Sequence, residues 1–90
     1  MKKAFKIRVI GRVQGVWFRK YTKQKADELA ISGFVRNERD GSVYMEAEGE
    51  AAAMDEFIQW CYVGSPESKV AQVIASEIQS KNWAGFQIQR

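Results

Sequence analysis

Apolar and polar residues alternate in several short stretches of the chain, a pattern typical of strands with one buried face. In the first stretch, residues 4–10, Phe5, Ile7 and Val9 are expected on the buried face. Further strands are predicted over residues 33–37, 43–48 and 70–78, and a short last one over 86–88. Asp40-Gly41 lies between two of these runs and predicts a tight hairpin turn.

Two other segments repeat their apolar residues at helical spacing. The first is predicted as a helix from about Arg19 to Ile31, with Gly33 as its C-terminal stop. Its expected inner face consists of Phe18, Tyr21, Thr22, Ala26, Leu29 and Ala30. The second segment places Met54, Phe57, Ile58 and Cys61 on one face and ends at Gly64, two residues before Pro66.

The resulting order, β-α-β-β-α-β with a short extra C-terminal strand, predicts an α+β ferredoxin-like sandwich. Two helices are expected on one face of an antiparallel sheet, and residues 1–90 are expected to form a single domain. The other sheet face should point to solvent, because its side chains are polar: Lys6, Arg8, Tyr44, Glu46 and Glu48.

Composition excludes several kinds of chemistry. The 90 residues include one cysteine and no histidine, which argues against a disulfide scaffold, a zinc site or a histidine base. Cys61 is interpreted as a core residue of the second helix. Glu46, Glu48 and Glu50 could form a metal cluster, but their alternation favours a solvated strand edge. No signal peptide or apolar span is evident, so a cytoplasmic protein without membrane contact is expected.

Charge is unevenly distributed along the chain. Residues 1–25 hold nine of the fourteen basic residues and no acidic one, whereas residues 26–90 hold five basic and eleven acidic residues. This imbalance indicates either an anionic ligand at the N-terminal third or simply a solvated basic face.

The loop over residues 11–17 joins a strand to a helix and contains two glycines. Backbone N–H groups in such a loop can surround an anion, and Arg19 at the helix start could bind two phosphoryl oxygens. The alternative is an ordinary connection with a surface arginine. A helix of roughly 20 Å and a returning strand of roughly 16 Å bring Asn37 back near Arg19. Its amide, expected to be exposed, could orient a water molecule there, or Asn37 is only a turn former.

These residues resemble the acylphosphatase family. The resemblance lies in Gly11-Arg-Val-Gln-Gly-Val-Trp-Phe-Arg19, in Gly33-Phe-Val-Arg-Asn37 with Asp40-Gly-Ser-Val43, and in Gly64-Ser-Pro66 and the closing Phe86-x-Ile88. It covers nearly the whole chain and implies a ferredoxin-like fold. It also implies hydrolysis of acyl phosphates to a carboxylate and inorganic phosphate, without metal or cofactor.

By this resemblance, Arg19 and the phosphate loop bind the phosphoryl group and Asn37 positions the attacking water. The loop backbone is contributed by Gln14, Gly15, Val16, Trp17 and Phe18, with Arg19 after them. No covalent intermediate is expected. The expected partner is a small acyl phosphate, with inorganic phosphate as product and competitive inhibitor, and the protein is expected to be a monomer.

One residue departs from the family pattern, because Trp17 stands where glycine is commonest. Tryptophan disfavours positive φ, so Trp17 is expected at negative φ with its ring directed away from the phosphate. The ring is then expected to cover the rim of the pocket or to pack over a neighbouring apolar surface. The competing interpretation is that the indole contacts the acyl group of the substrate.

Two other functions remain as alternatives. A non-catalytic anion sensor would keep the same loop. An RNA-binding module would need aromatic residues on the open sheet face, where Tyr44 is expected to stand nearly alone beside glutamates, so nucleic-acid binding is not expected.

Overall fold

The computed structural model describes all 90 residues and confirms the predicted order of elements. The five strands are β1 (Lys2–Arg12), β2 (Ser32–Asn37), β3 (Val43–Glu50), β4 (Lys69–Ile78) and β5 (Phe86–Ile88). The two helices are α1 (Phe18–Glu28) and α2 (Ala51–Val63). No helix is long and apolar enough to cross a lipid bilayer.

The strands form one sheet in the order β4-β1-β3-β2-β5. All pairs among strands β1 to β4 are antiparallel, as predicted. Met45 on β3 lies opposite Ile7 on β1 and opposite Val35 on β2. The extra strand β5 pairs parallel to β2 and makes the sheet mixed. Since β5 lies along the edge of β2, it carries the C-terminal residues toward the end of β2, where Asn37 lies.

The core lies between one sheet face and the two helices, because alternate strand residues point to the same side. Ile7, Val9, Val35 and Met45 are buried there, as the alternation predicts. The helices contribute fully or almost fully buried side chains to the same cluster: Phe18, Ala26, Met54, Phe57 and Cys61. This packing fixes the start of α1 against the sheet.

Helix α1 ends earlier than predicted. It stops at Glu28, and Ala30 takes a left-handed φ of 55° just beyond it. The interpretation of Gly33 as the helix stop is wrong, because Gly33 lies inside β2 at φ 141°. A Cβ at Gly33 would come within 1.9 Å of the Glu46 carbonyl oxygen. Glycine is therefore required there by the close approach of β3.

The outer sheet face differs from the prediction at Glu48. Glu48 is only 3 % exposed, and β3 is a central strand, so the solvated strand edge is wrong for this carboxylate. Residues 79–85 cross that part of the sheet, and the Ser80 hydroxyl and the backbone N–H groups of Lys81 and Asn82 donate to Glu48. These hydrogen bonds, led by the one from Ser80, hold the pKa of Glu48 below its ordinary value.

The surroundings of Tyr44 also differ from the prediction. The expectation that Tyr44 stands nearly alone among aromatic residues is wrong, because the Phe34 ring lies 6.2 Å from the Tyr44 ring and Trp83 packs against Phe34. Arg8 and Arg36 lie opposite Tyr44 on the neighbouring strands, and their guanidinium carbons are 5.3 and 5.0 Å from its ring centroid. The Tyr44 hydroxyl donates to Glu46, and burial, followed by this hydrogen bond, raises the pKa of Tyr44 to about 12.

Candidate active site

A cavity of about 340 Å³ opens where β1 passes through its loop into α1. It is bounded by the loop, the first turn of α1, the end of β2 and the end of β5. Its lining residues are Val13, Gly15, Trp17, Phe18, Arg19, Lys20, Asn37 and Ile88. Arg19 and Asn37, predicted to converge from the lengths of helix and strand, do border the same cavity.

The loop reaches the helix through two left-handed residues. Gly15 has φ 73° and Trp17, the residue directly before α1, has φ 64° and ψ 20°. The expectation of negative φ at Trp17 is therefore wrong. The first turn of α1 has no side-chain cap, so its leading N–H groups have neither an intrahelical partner nor a capping one. Such a helix start favours an anion through its free N–H groups and its dipole.

Two side chains tie the loop to the rest of the protein. Gln14 Nε2 donates to the carbonyl oxygens of Glu38 and Ser42, at 2.7 and 2.9 Å. On the other side, Ser65 Oγ donates to the Val16 carbonyl oxygen at 2.6 Å. The side chains of Gln14 and Val16 do not line the cavity, so what these residues offer the site is backbone and a fixed loop.

Arg19 lies in the first turn of α1, where its side chain is half-buried. Its Nη1 donates to the carbonyl oxygen of Gln89 at 3.0 Å. No carboxylate lies within 4.0 Å of the guanidinium to form an ion pair. Its charge is thus held in place by a neutral acceptor and stays available to an anion in the cavity.

The contributions of Gln89 and Ile88 were not predicted as part of the site. The carbonyl of Gln89 anchors Arg19, and Ile88 lines the cavity with a side chain that is 42 % exposed. Because every residue has a backbone carbonyl, the sequence could not indicate that the one of Gln89 contacts Arg19. The closing Phe86-x-Ile88 pattern predicted a strand, but only the parallel pairing of β5 with β2 brings that strand to the site.

Asn37 is the last residue of β2. The expectation that it is exposed is wrong, because the side chain is half-buried and its Oδ1 atom is closed off from solvent without a hydrogen-bond partner. An unpartnered buried amide oxygen is destabilising.

Cys61 takes no part in the cavity. It is fully buried in the core, as predicted, and burial raises the pKa of its thiol to about 12. A thiol with this pKa is not ionised near neutral pH, so it cannot act as a nucleophile. The structure brings together no group of three histidine, cysteine, aspartate or glutamate side chains that could hold a metal ion.

The fold and the cavity define a class: a ferredoxin-like α+β protein with a candidate anion site between its first loop and the end of β2. The acylphosphatase family model matches residues 5–88. An acylphosphatase of Rubrobacter xylanophilus is 44 % identical over 87 residues, which are 96 % of this chain and 79 % of that protein.

Solved structures agree with this match. A crystal structure of acylphosphatase from Bacillus subtilis superposes with a TM-score of 0.95 at 37 % identity and covers 100 % of both chains. An acylphosphatase from Coxiella burnetii gives a TM-score of 0.95 at 32 % identity, over 98 % of this chain and 93 % of that one. The chain belongs to the acylphosphatase family.

Proposed function

We propose that the protein hydrolyses acyl phosphates to a carboxylate and inorganic phosphate. The observation that carries the proposal is the single cavity that Arg19, Asn37 and the Gly15-containing loop border together. Membership of the acylphosphatase family supports the same reaction class.

In this proposal the phosphoryl group binds at the start of α1. Arg19, already anchored on the Gln89 carbonyl, donates charge-assisted hydrogen bonds to two phosphoryl oxygens. The backbone N–H groups of residues 14–19 surround the remaining oxygens, helped by the dipole of α1. The ties through Gln14 and Ser65 keep the loop in place before the substrate arrives, which reduces the ordering needed on binding.

The water molecule is assigned to Asn37. Its amide lies half-buried at the end of β2 and borders the cavity, where it can form a hydrogen bond with the attacking water. The water oxygen forms a bond to phosphorus as the bond between phosphorus and the acyl oxygen breaks. The carboxylate leaves with the electron pair, and a water proton passes to a phosphate oxygen. No covalent intermediate, metal or cofactor enters the sequence of steps.

So few groups can suffice because the leaving group is already stable. A carboxylate has a reference pKa near ~4 and needs little protonation to depart. A loose phosphoryl-transfer transition state requires mainly positioning and charge stabilisation. Arg19, the loop and Asn37 offer these, and the absence of histidine from the chain is no obstacle.

Inorganic phosphate, the product, should compete with substrate because it offers the same oxygens to Arg19. We propose in addition that the protein acts as a cytoplasmic monomer on a small acyl phosphate, without nucleic acid or membrane as partner.

The test is turnover of acetyl phosphate and benzoyl phosphate, with p-nitrophenyl phosphate as a phosphomonoester control and a chelator added. Both acyl phosphates should be hydrolysed at rates that the chelator does not change, and the monoester at least about 100-fold more slowly. Binding of inorganic phosphate without any turnover would show a non-catalytic anion sensor and refute the proposal.

A further inference from the structure

Trp17 combines two features that do not stabilise the protein. It holds a left-handed backbone at φ 64°, a conformation that is a genuine outlier for a bulky residue. Its side chain is also 68 % exposed, although tryptophan is usually well buried. Strained residues of this kind cluster at functional sites, so the role of Trp17 is to be sought at the cavity that it lines.

The cavity offers its apolar surface unevenly. Val13 and Phe18 line it but are each only 1 % exposed, so they form its floor. Trp17 and Ile88 line it as well, and they are 68 % and 42 % exposed. The apolar surface that a ligand can cover therefore comes from these two side chains. A volume of about 340 Å³ is within the range of small-molecule pockets, roughly 300–1,000 Å³.

One contact restrains the indole. The Lys20 ammonium lies 5.7 Å from the centroid of the Trp17 ring, within the distance of a cation–π contact. Trp17 also borders a second, shallower depression with Val16, Tyr21 and Pro66. The expected position at the rim is therefore found, but the high exposure shows that the ring is not packed over a neighbouring apolar surface.

We infer that Trp17, together with Ile88, is the specificity-determining contact for the acyl part of the substrate. Acyl phosphates with an aromatic or similarly flat apolar acyl group are then preferred over acetyl phosphate. An aromatic acyl group can lie against the indole while its phosphoryl group occupies the loop. This inference rests on the proposed function and adds the substrate class.

The test compares kcat/KM for benzoyl phosphate and acetyl phosphate in three variants. Trp17→Asn removes the ring but keeps a residue that tolerates left-handed backbone. Trp17→Phe keeps an aromatic ring. Tyr62→Ala removes an aromatic side chain that is 56 % exposed on α2, outside the cavity, and serves as the control.

Trp17→Asn should lower kcat/KM for benzoyl phosphate about fivefold to tenfold, mainly through KM, the effect of losing one aromatic contact. For the same variant, kcat/KM for acetyl phosphate should change less than about twofold. Trp17→Phe should keep most of the wild-type kcat/KM for benzoyl phosphate, and Tyr62→Ala should leave kcat/KM unchanged for both substrates. Equal losses on both substrates, or no loss on either, would overturn the inference while leaving the proposed function intact. A wild-type protein that hydrolyses neither substrate would overturn the proposed function and this inference with it.

Discussion

Replacement of Asn37 by alanine should separate activity from stability. The variant removes the amide that is proposed to orient water, and it also removes the buried Oδ1 atom that has no hydrogen-bond partner. A buried unpartnered polar group costs about 1–3 kcal/mol. Because the Asn37 side chain is small and half-buried, the loss of its packing contacts should destabilise the protein by only about 1 kcal/mol.

The net effect on the free energy of unfolding should lie between about 0 and +2 kcal/mol. For a domain of this size, 1 kcal/mol corresponds to about 4–8 °C in Tm, so Tm should be unchanged or up to about 16 °C higher. The loss of one oriented hydrogen bond at the reacting centre should lower kcat about 100-fold to 1,000-fold. KM should change little, since Asn37 is assigned to the water and not to the phosphoryl group.

Thermal unfolding and steady-state kinetics on an acyl phosphate measure the two effects on the same preparation. Gln87→Ala, which truncates an exposed amide on β5, is the matched control and should change neither Tm nor kcat. A fall in Tm of more than about 5 °C for Asn37→Ala would show that the amide is a structural contact. A normal kcat would show that another group positions the water.

Three further predictions follow from the site and the fold. Arg19→Gln should nearly abolish hydrolysis and weaken inhibition by inorganic phosphate by a factor corresponding to about 1.5–3 kcal/mol; an unchanged inhibition constant would remove Arg19 from phosphate binding. Trp17→Gly should keep substantial turnover and leave the free energy of unfolding within about 1 kcal/mol of the wild type, measured by urea denaturation, because relief of the left-handed strain offsets the added chain entropy. Because the pKa of Glu48 is lowered in the folded state, the ionised carboxylate stabilises the protein fully above the ordinary pKa of 4.5, and this stabilisation is lost as pH falls through the lower folded value. The Glu48→Gln variant should therefore be less stable than the wild type at pH 7 and should lose less stability than the wild type below about pH 5. Curves of stability against pH that run parallel for the two proteins would contradict this prediction.

The spacing of apolar residues along the chain was sufficient to predict the order of strands and helices and the proximity of Arg19 and Asn37. The alternation that buries Ile7 and Val9 and the helical spacing that buries Phe57 both depend on near neighbours in the chain. The return of β2 to the start of α1 follows from the rise per residue in helices and strands.

Features imposed by distant parts of the chain were not predictable in this way. Trp17 is held at positive φ in a loop that Gln14 ties to the hairpin and Ser65 ties to the end of α2. Glu48 is buried because residues 79–85 cross the sheet far along the chain. The Gln89 carbonyl reaches Arg19 only because β5 pairs with β2.

Hydrolysis of an acyl phosphate in water enriched in ¹⁸O tests the central claim most directly, because it shows which atom the water attacks. Water that is oriented beside a phosphoryl group held by Arg19 should add to phosphorus. The account predicts one ¹⁸O atom in each inorganic phosphate released and none in the carboxylate. Label in the carboxylate would place the attack at the acyl carbon and contradict the assignment of the cavity to the phosphoryl group.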